Sequence, residues 1–132
     1  MSTTNFGFTK LVVHDLEKQA AFYRDVYGLH AVQRVQAEIG SEAIDEIMLS
    51  ADPKAQFGSL VLLKFVTRPT AQRGELILGF ITDDLAALLD RVRAAGGGVH
   101  APIKQMPEHR LKVAFATDPE GHLAEIVQMD PA

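Results

Sequence analysis

Apolar and polar positions follow two rhythms along this chain, and the same succession of rhythms is written twice. Phe6-Gly7-Phe8-Thr9-Lys10-Leu11-Val12-Val13 is aromatic and β-branched enough for a strand. Asp15 then offers a helix N-cap, with Glu17 in the first turn where the macrodipole favours an anion. Leu16, Ala20, Tyr23 and Tyr27 recur at helical spacing, and Gly28 ends the helix as a C′ glycine. Three strands are expected next, over roughly 30–35, 43–50 and 59–66. The middle one is ambiguous: Ile44, Glu46, Met48 and Ser50 alternate only loosely, whereas Ile44, Ile47 and Met48 equally suit a helix.

A stretch rich in turn-formers and arginine, 67–74, separates this module from the next. Residues 75–81 read as a strand, and Asp84 caps a helix whose stripe is Leu85, Leu88, Val92 and Ala95. Gly96-Gly97-Gly98 stops that helix, and a short strand follows over 99–103. Residues 104–112 read as a polar loop holding Met106, His109 and Arg110. Strands over 113–117 and 122–128 then form a hairpin across Asp118-Pro119-Glu120-Gly121, a type I turn signature with Asp, Pro and Gly at its first, second and fourth positions.

The repetition is visible in register as well as in rhythm. Val13-His14-Asp15-Leu16 returns as Thr82-Asp83-Asp84-Leu85, an offset of 69 residues, and Gly28 and Gly97 each follow their capping aspartate by 13. Each module reads βαβββ, over about 6–66 and 75–128, and neither half-sheet would bury its apolar face alone. The expectation is a single α+β domain spanning 1–132 whose two modules pair into a cup-shaped mixed sheet with helices outside.

Composition narrows the function classes. The chain has 132 residues, enough for one core and too few for two. A net charge of −4 argues against nucleic acid, which calls for a basic face. No apolar run approaches the roughly 18 residues of a membrane helix, and Met1-Ser2-Thr3-Thr4-Asn5 lacks the basic start and apolar stretch of an export signal. With no cysteine there are no disulfides, thiolate nucleophiles or sulfur-ligated metals. A cytoplasmic protein acting on a small molecule is the expectation.

Asp15-Leu16, Phe22-Tyr23, Gly28-Leu29, Ala95-Gly96-Gly97, Ala114-Phe115, Asp118-Pro119-Glu120-Gly121 and Glu125-Ile126, set on paired βαβββ modules, resemble the vicinal oxygen chelate superfamily. That group includes glyoxalase I, extradiol dioxygenases, methylmalonyl-CoA epimerase and the fosfomycin and bleomycin resistance proteins. The resemblance runs over about residues 6–128 and identifies the fold rather than one chemistry. It implies a homodimer. In metal-using members it implies a divalent cation held by His, Gln or Glu, one from each of four strands. Carried over, those positions fall at Phe8, Leu62, Ile77 and Glu125, and the 69-residue repeat independently pairs Phe8 with Ile77. Three of the four side chains have no lone pair to donate. A slip of one residue does not help, because Gly7, Thr9, Leu76 and Leu78 flank the first and third positions. The resemblance therefore comes without its metal site, and no cofactor is expected.

The remaining polar residues are open to two readings each. Glu125, with Leu123 and Val127 on its face, could be a proton-transfer base or accept a ligand donor; equally it could be a carboxylate paired with a lysine. Lys10 and Lys64 lie two residues from Phe8 and Leu62, so each should share a face with its neighbour and could hold a carboxylate, phosphate or enolate. Lysines near strand ends also snorkel to water. Phe8 and Phe115 are the best candidates for an apolar pocket wall, ahead of Phe65, Phe80, Met48 and Met106, all of which could simply be core. Arg68, Arg73, His109 and Arg110 could close over an anion or remain solvated. His14, His30, His100, His109 and His122 form no H-x-H or H-x-x-x-H clip, and His122 should point away from Glu125. Two functions stay open: a metal-free protein binding a small, partly apolar, anionic or aromatic molecule, and a lyase, isomerase or epimerase using Glu125. A metal-dependent glyoxalase or dioxygenase ranks third.

Overall fold

The computed structural model of the chain describes residues 6–39, 41–56, 58–68 and 76–131. Its elements are β1 (Thr9–Val12), α1 (Leu16–Tyr27), β2 (His30–Ile39), β3 (Glu42–Ser50), β4 (Leu60–Phe65), β5 (Ile77–Ile81), α2 (Leu85–Ala94), β6 (Gly98–Met106), a 3₁₀ turn (Pro107–His109), β7 (Leu111–Thr117) and β8 (Leu123–Met129). The strands form two four-stranded mixed sheets of one topology, β1-β4-β3-β2 and β5-β8-β7-β6. In each, the first strand in sequence (β1 or β5) runs parallel to its neighbour and the other pairs are antiparallel. This is the α+β fold of two βαβββ modules.

Two compact units result. Among the described residues, the first holds those up to 20 and those from 28 to 68; the second holds Ala21–Tyr27 and those from 76 onward. The second half of α1 thus belongs with the second sheet, although the chain order assigns the whole helix to the first module.

In the first unit, β4 is central and buried on both sides: Val61 and Leu62 are fully covered and Leu63 is 2% exposed. Asp15 starts α1 as expected, its Oδ1 accepting from the Lys18 N–H at 3.1 Å. β3 is a strand despite its helical spacing of Ile44, Ile47 and Met48, because partners on both sides satisfy its backbone; β2 and β4 flank it over most of its length. β2 runs to Ile39, beyond the expected 35, with a bulge between Ala31 and Gln33 that breaks the alternation a sequence reading relies on.

In the second unit, Asp84 Oδ1 accepts from the Ala87 N–H at 3.1 Å and caps α2. Leu85, Leu88, Leu89 and Val92 bury one stripe of that helix, and Ala114, Ala116, Ala124 and Ile126 line the buried face of the sheet. The end of α1 docks through Tyr27, whose ring stacks on Phe80 with centroids 3.7 Å apart. The expected polar loop over 104–112 is mostly ladder. β6 continues to Met106, one 3₁₀ turn follows, and β7 starts at Leu111. Irregular register between Val99 and Ala101 and between Ala101 and Lys104 hides the strand period there. Gly121 closes the β7–β8 turn at φ 89°, its N–H donating to the Asp118 carbonyl at 2.9 Å.

Candidate functional site

The second sheet presents Glu125 on a largely apolar face, whose register also places Thr117 and Lys104 there. β8 pairs Glu125 with Phe115 on one side and Gly79 on the other. By alternation Leu123 and Val127 share that face, together with Ile77, Ile81 and Val113. Glu125 and Phe115 are half-buried, while Ile77 is 56% and Ile81 78% exposed. Three expected site residues, Ile77, Phe115 and Glu125, therefore lie together on one face. The opposite face carries Phe80, Ala124 and Ile126 and receives the helices. Phe80 is accordingly half-buried on the helix side, stacked on Tyr27.

On the first sheet the expected set divides. Phe8 and Lys10 share a face, with the Lys10 ammonium 5.7 Å from the Phe8 ring centroid. Val61 sits beside Lys10, and Leu63 beside Val12. Leu62 pairs with Leu11 and Ile47, so it lies on the other face, fully buried. Lys64 follows it there, beside Asp45, and lines a polar cleft of about 360 Å³ with His14, Asp15, Glu17 and Arg34. The reading that placed Leu62 and Lys64 beside Phe8 and Lys10 is thus corrected. The physical reason is the run Leu60-Val61-Leu62-Leu63, apolar on both faces because the strand is central, which offers no period of two to fix its phase.

The partner of Lys10 is a residue that sequence reasoning passed over. Glu46 on β3 lies 3.0 Å (Oε2) and 3.2 Å (Oε1) from Lys10 Nζ. Its side chain is 5% exposed, against 36% for that of Lys10. The available signal was a lone carboxylate alternating with Ile44 and Met48. In the cleft on the opposite face, Arg34 joins Asp45 (2.7 and 3.0 Å) and Glu17, and its guanidinium holds the Asp45 carboxyl below its ordinary range.

The loop cations are engaged within their own units. Arg68 makes a two-pronged contact with Glu42 at 2.8 and 2.7 Å and lies 3.8 Å over the Phe65 ring. Arg110, at the positive φ of 56°, donates to the Pro131 carbonyl at 3.1 Å. Arg73 lies outside the described residues. His122 stands at the start of β8, 5% exposed, its Nδ1 2.8 Å from Asp118 Oδ2. Among the described residues, no three of His, Cys, Asp and Glu come together in a way that could hold a metal ion. Of the side chains at the expected metal positions, Phe8 and Ile77 have no lone pair, and neither do Leu62 or its neighbours Val61 and Leu63. Those residues do not fit the cation that the superfamily's metal-using members hold.

The architecture defines a two-module α+β protein, and comparison with known proteins makes the family specific. Residues 5–126 match the model of the Glyoxalase/Bleomycin resistance protein/Dioxygenase superfamily, and the chain belongs to that superfamily. It is 28% identical to a probable lactoylglutathione lyase of Vibrio parahaemolyticus, over 97% of this chain and 93% of that one. It is 27% identical to a lactoylglutathione lyase of Arabidopsis thaliana, covering 90% of this chain but only 42% of that longer protein. Among solved structures, a glyoxalase family protein from Bacillus cereus superposes with a TM-score of 0.83 at 18% identity, covering 99% of this chain and 97% of the other. At 20% identity, glyoxalase I from Zea mays, solved as an E144Q mutant, superposes over 92% of this chain and 46% of the other with a TM-score of 0.74. Among the described residues no helix is long and apolar enough to cross a membrane.

Proposed function

We propose that this chain binds a small, partly apolar molecule, anionic or aromatic, without a metal at the superfamily positions. The observation that carries the reading is chemical. Where metal-using relatives present donors, this chain presents Phe8, an aliphatic residue of β4 and Ile77, leaving Glu125 as the one carboxylate. Apolar walls with a few fixed polar groups are what small-molecule recognition requires. The exposed Ile77, Ile81 and Met129 support the homodimer that the resemblance implies, since burying them against a second copy removes apolar surface from water.

Native mass spectrometry of protein purified without chelators tests this. The expected result is a dimer with no stoichiometric metal, with or without an organic adduct. Stoichiometric zinc, nickel, manganese or iron would overturn it.

A second reading is favoured by one observation, the half-buried Glu125 held between Phe115 and Gly79 in apolar surroundings. A carboxylate so placed suits proton abstraction beside a carbonyl, and the similarity to a probable lactoylglutathione lyase points to that class of step. Under this reading Glu125→Gln abolishes lactoylglutathione formation and leaves substrate affinity within a few-fold. Turnover that survives the substitution removes Glu125 as the base.

A further inference from the structure

The Lys10–Glu46 pair is out of keeping with its surroundings. Its face of the first sheet also carries Met48 beside Val61 and Leu63, which are 7%, 0% and 2% exposed. Glu46 itself is 4% exposed as a residue. Burying the carboxylate of an ion pair returns little stability over an apolar residue of similar size, because its desolvation offsets much of the attraction to the lysine. The pair is also asymmetric: the carboxylate is covered, whereas the lysine side chain keeps 36% of its surface. A molecule approaching this face meets the ammonium and not the carboxylate. Beside it stands the Phe8 ring, 39% exposed, with its centroid 5.7 Å from Nζ.

We infer that Glu46 fixes the Lys10 ammonium over Phe8 as an anchor for a flat conjugated monoanion of the arenecarboxylate type. Two contacts to Glu46, at 3.0 and 3.2 Å, orient an otherwise flexible lysine, which lowers the ordering cost when a ligand arrives. The anionic oxygens accept from Lys10 in a charge-assisted hydrogen bond. The ring of the ligand lies against Phe8, in offset or edge-on contact. Glu46 is a positioning residue here: it acts through Lys10 and leaves the ligand's oxygens to the ammonium. The inference rests on the small-molecule reading above and assigns that molecule a charge and a shape.

Benzoate and benzyl alcohol, matched in ring and differing in charge, test it by titration against the full chain, with the Met48 methyl and Phe8 ring signals reporting location by NMR. Benzoate is expected to bind about tenfold tighter, the scale of one charge-assisted hydrogen bond. Lys10→Met alone would leave a buried carboxylate without its partner and could unfold the sheet. The Lys10→Met/Glu46→Gln double variant removes both charges at similar volume and is expected to bind the two probes equally. Lys10→Arg should keep the preference for benzoate. Glu46→Gln alone keeps an amide oxygen that still orients the ammonium but removes the competing anion, so it should tighten benzoate while leaving benzyl alcohol unchanged. Equal binding of both probes to the native protein, or a preference that survives in the double variant, overturns the anion anchor and leaves small-molecule binding intact. Binding of neither probe overturns the anion anchor as well, while the small-molecule reading is decided by the mass-spectrometric test above.

Discussion

The Tyr23 hydroxyl donates to Asp118 Oδ2 at 2.9 Å, joining the second half of α1 to the β7–β8 turn across 95 residues of sequence. Asp118 is the hub of that corner. Its Oδ1 accepts from the backbone N–H groups of Glu120 and His122, each at 2.9 Å, and its Oδ2 lies 2.8 Å from His122 Nδ1. Asp118 and His122 are both 5% exposed and Tyr23 is 1% exposed. Tyr23→Phe deletes one donor and is expected to cost about 1–3 kcal/mol. Asp118→Ala strands several buried donors at once and should cost more. Equilibrium denaturation of the two variants checks the order; equal losses would mean that Asp118 is not the hub.

The same corner should weaken stability at alkaline pH. Burial, followed by the neighbouring Asp118 charge, holds the Tyr23 hydroxyl far above its ordinary value of 10.0, and Tyr27 is raised by the same two causes. In the unfolded chain both phenols ionise near the ordinary value while the folded protein keeps them protonated. Their contribution is therefore full below about pH 10 and declines as pH rises further, by up to about 1.4 kcal/mol per pH unit for each tyrosine. Denaturation at a series of pH values from 9 to 11.5 should show this slope. Replacing both tyrosines by phenylalanine should flatten it.

Gly97 closes against the turn from the other side. A Cβ there would stand 2.9 Å from Phe22 Cε2 and from Val92 Cγ1 and would overlap the Thr117 carbonyl oxygen. Because one of the three obstacles is backbone, the site has little room to relax. Gly97→Ala is expected to destabilise the second unit by about 1–3 kcal/mol, the usual cost of overpacking. Gly79→Ala makes a control, since nothing lies within 4 Å of a Cβ at that position. A loss at Gly79 matching that at Gly97 would contradict the packing account.

Leu62 and Phe8 should separate stability from binding. Leu62 is fully buried on the face opposite Phe8, so Leu62→Ala should cost about 2–5 kcal/mol and leave ligand affinity unchanged in the folded protein. Phe8, 39% exposed, should show the reverse, with little loss of stability and weakened binding of an aromatic probe. Thermal denaturation beside probe titration checks both. A Leu62→Ala variant that stays as stable as the native chain would refute its place in the core.

What the sequence by itself determined was whatever is written locally. Asp15 and Asp84 cap their helices because a short side-chain acceptor reaches the N–H three residues on. Gly28 and Gly96 take φ values of 71° and 90° at helix ends, where a side chain would be strained. The 69-residue repetition carried the topology of both sheets, because identical local patterns fold to identical local units. Ile77, Phe115 and Glu125 came out on one face because β8 alternates cleanly. Only the tertiary structure decided the phase of β4, since an apolar run in a central strand looks the same from either side and its hydrogen-bonding neighbours set which side is which. It also decided that Lys10 meets Glu46, 36 residues away, and that Asp118 gathers Tyr23 and His122. Those contacts are made between strands and helices far apart in the chain, where spacing along the sequence carries no information about distance in space.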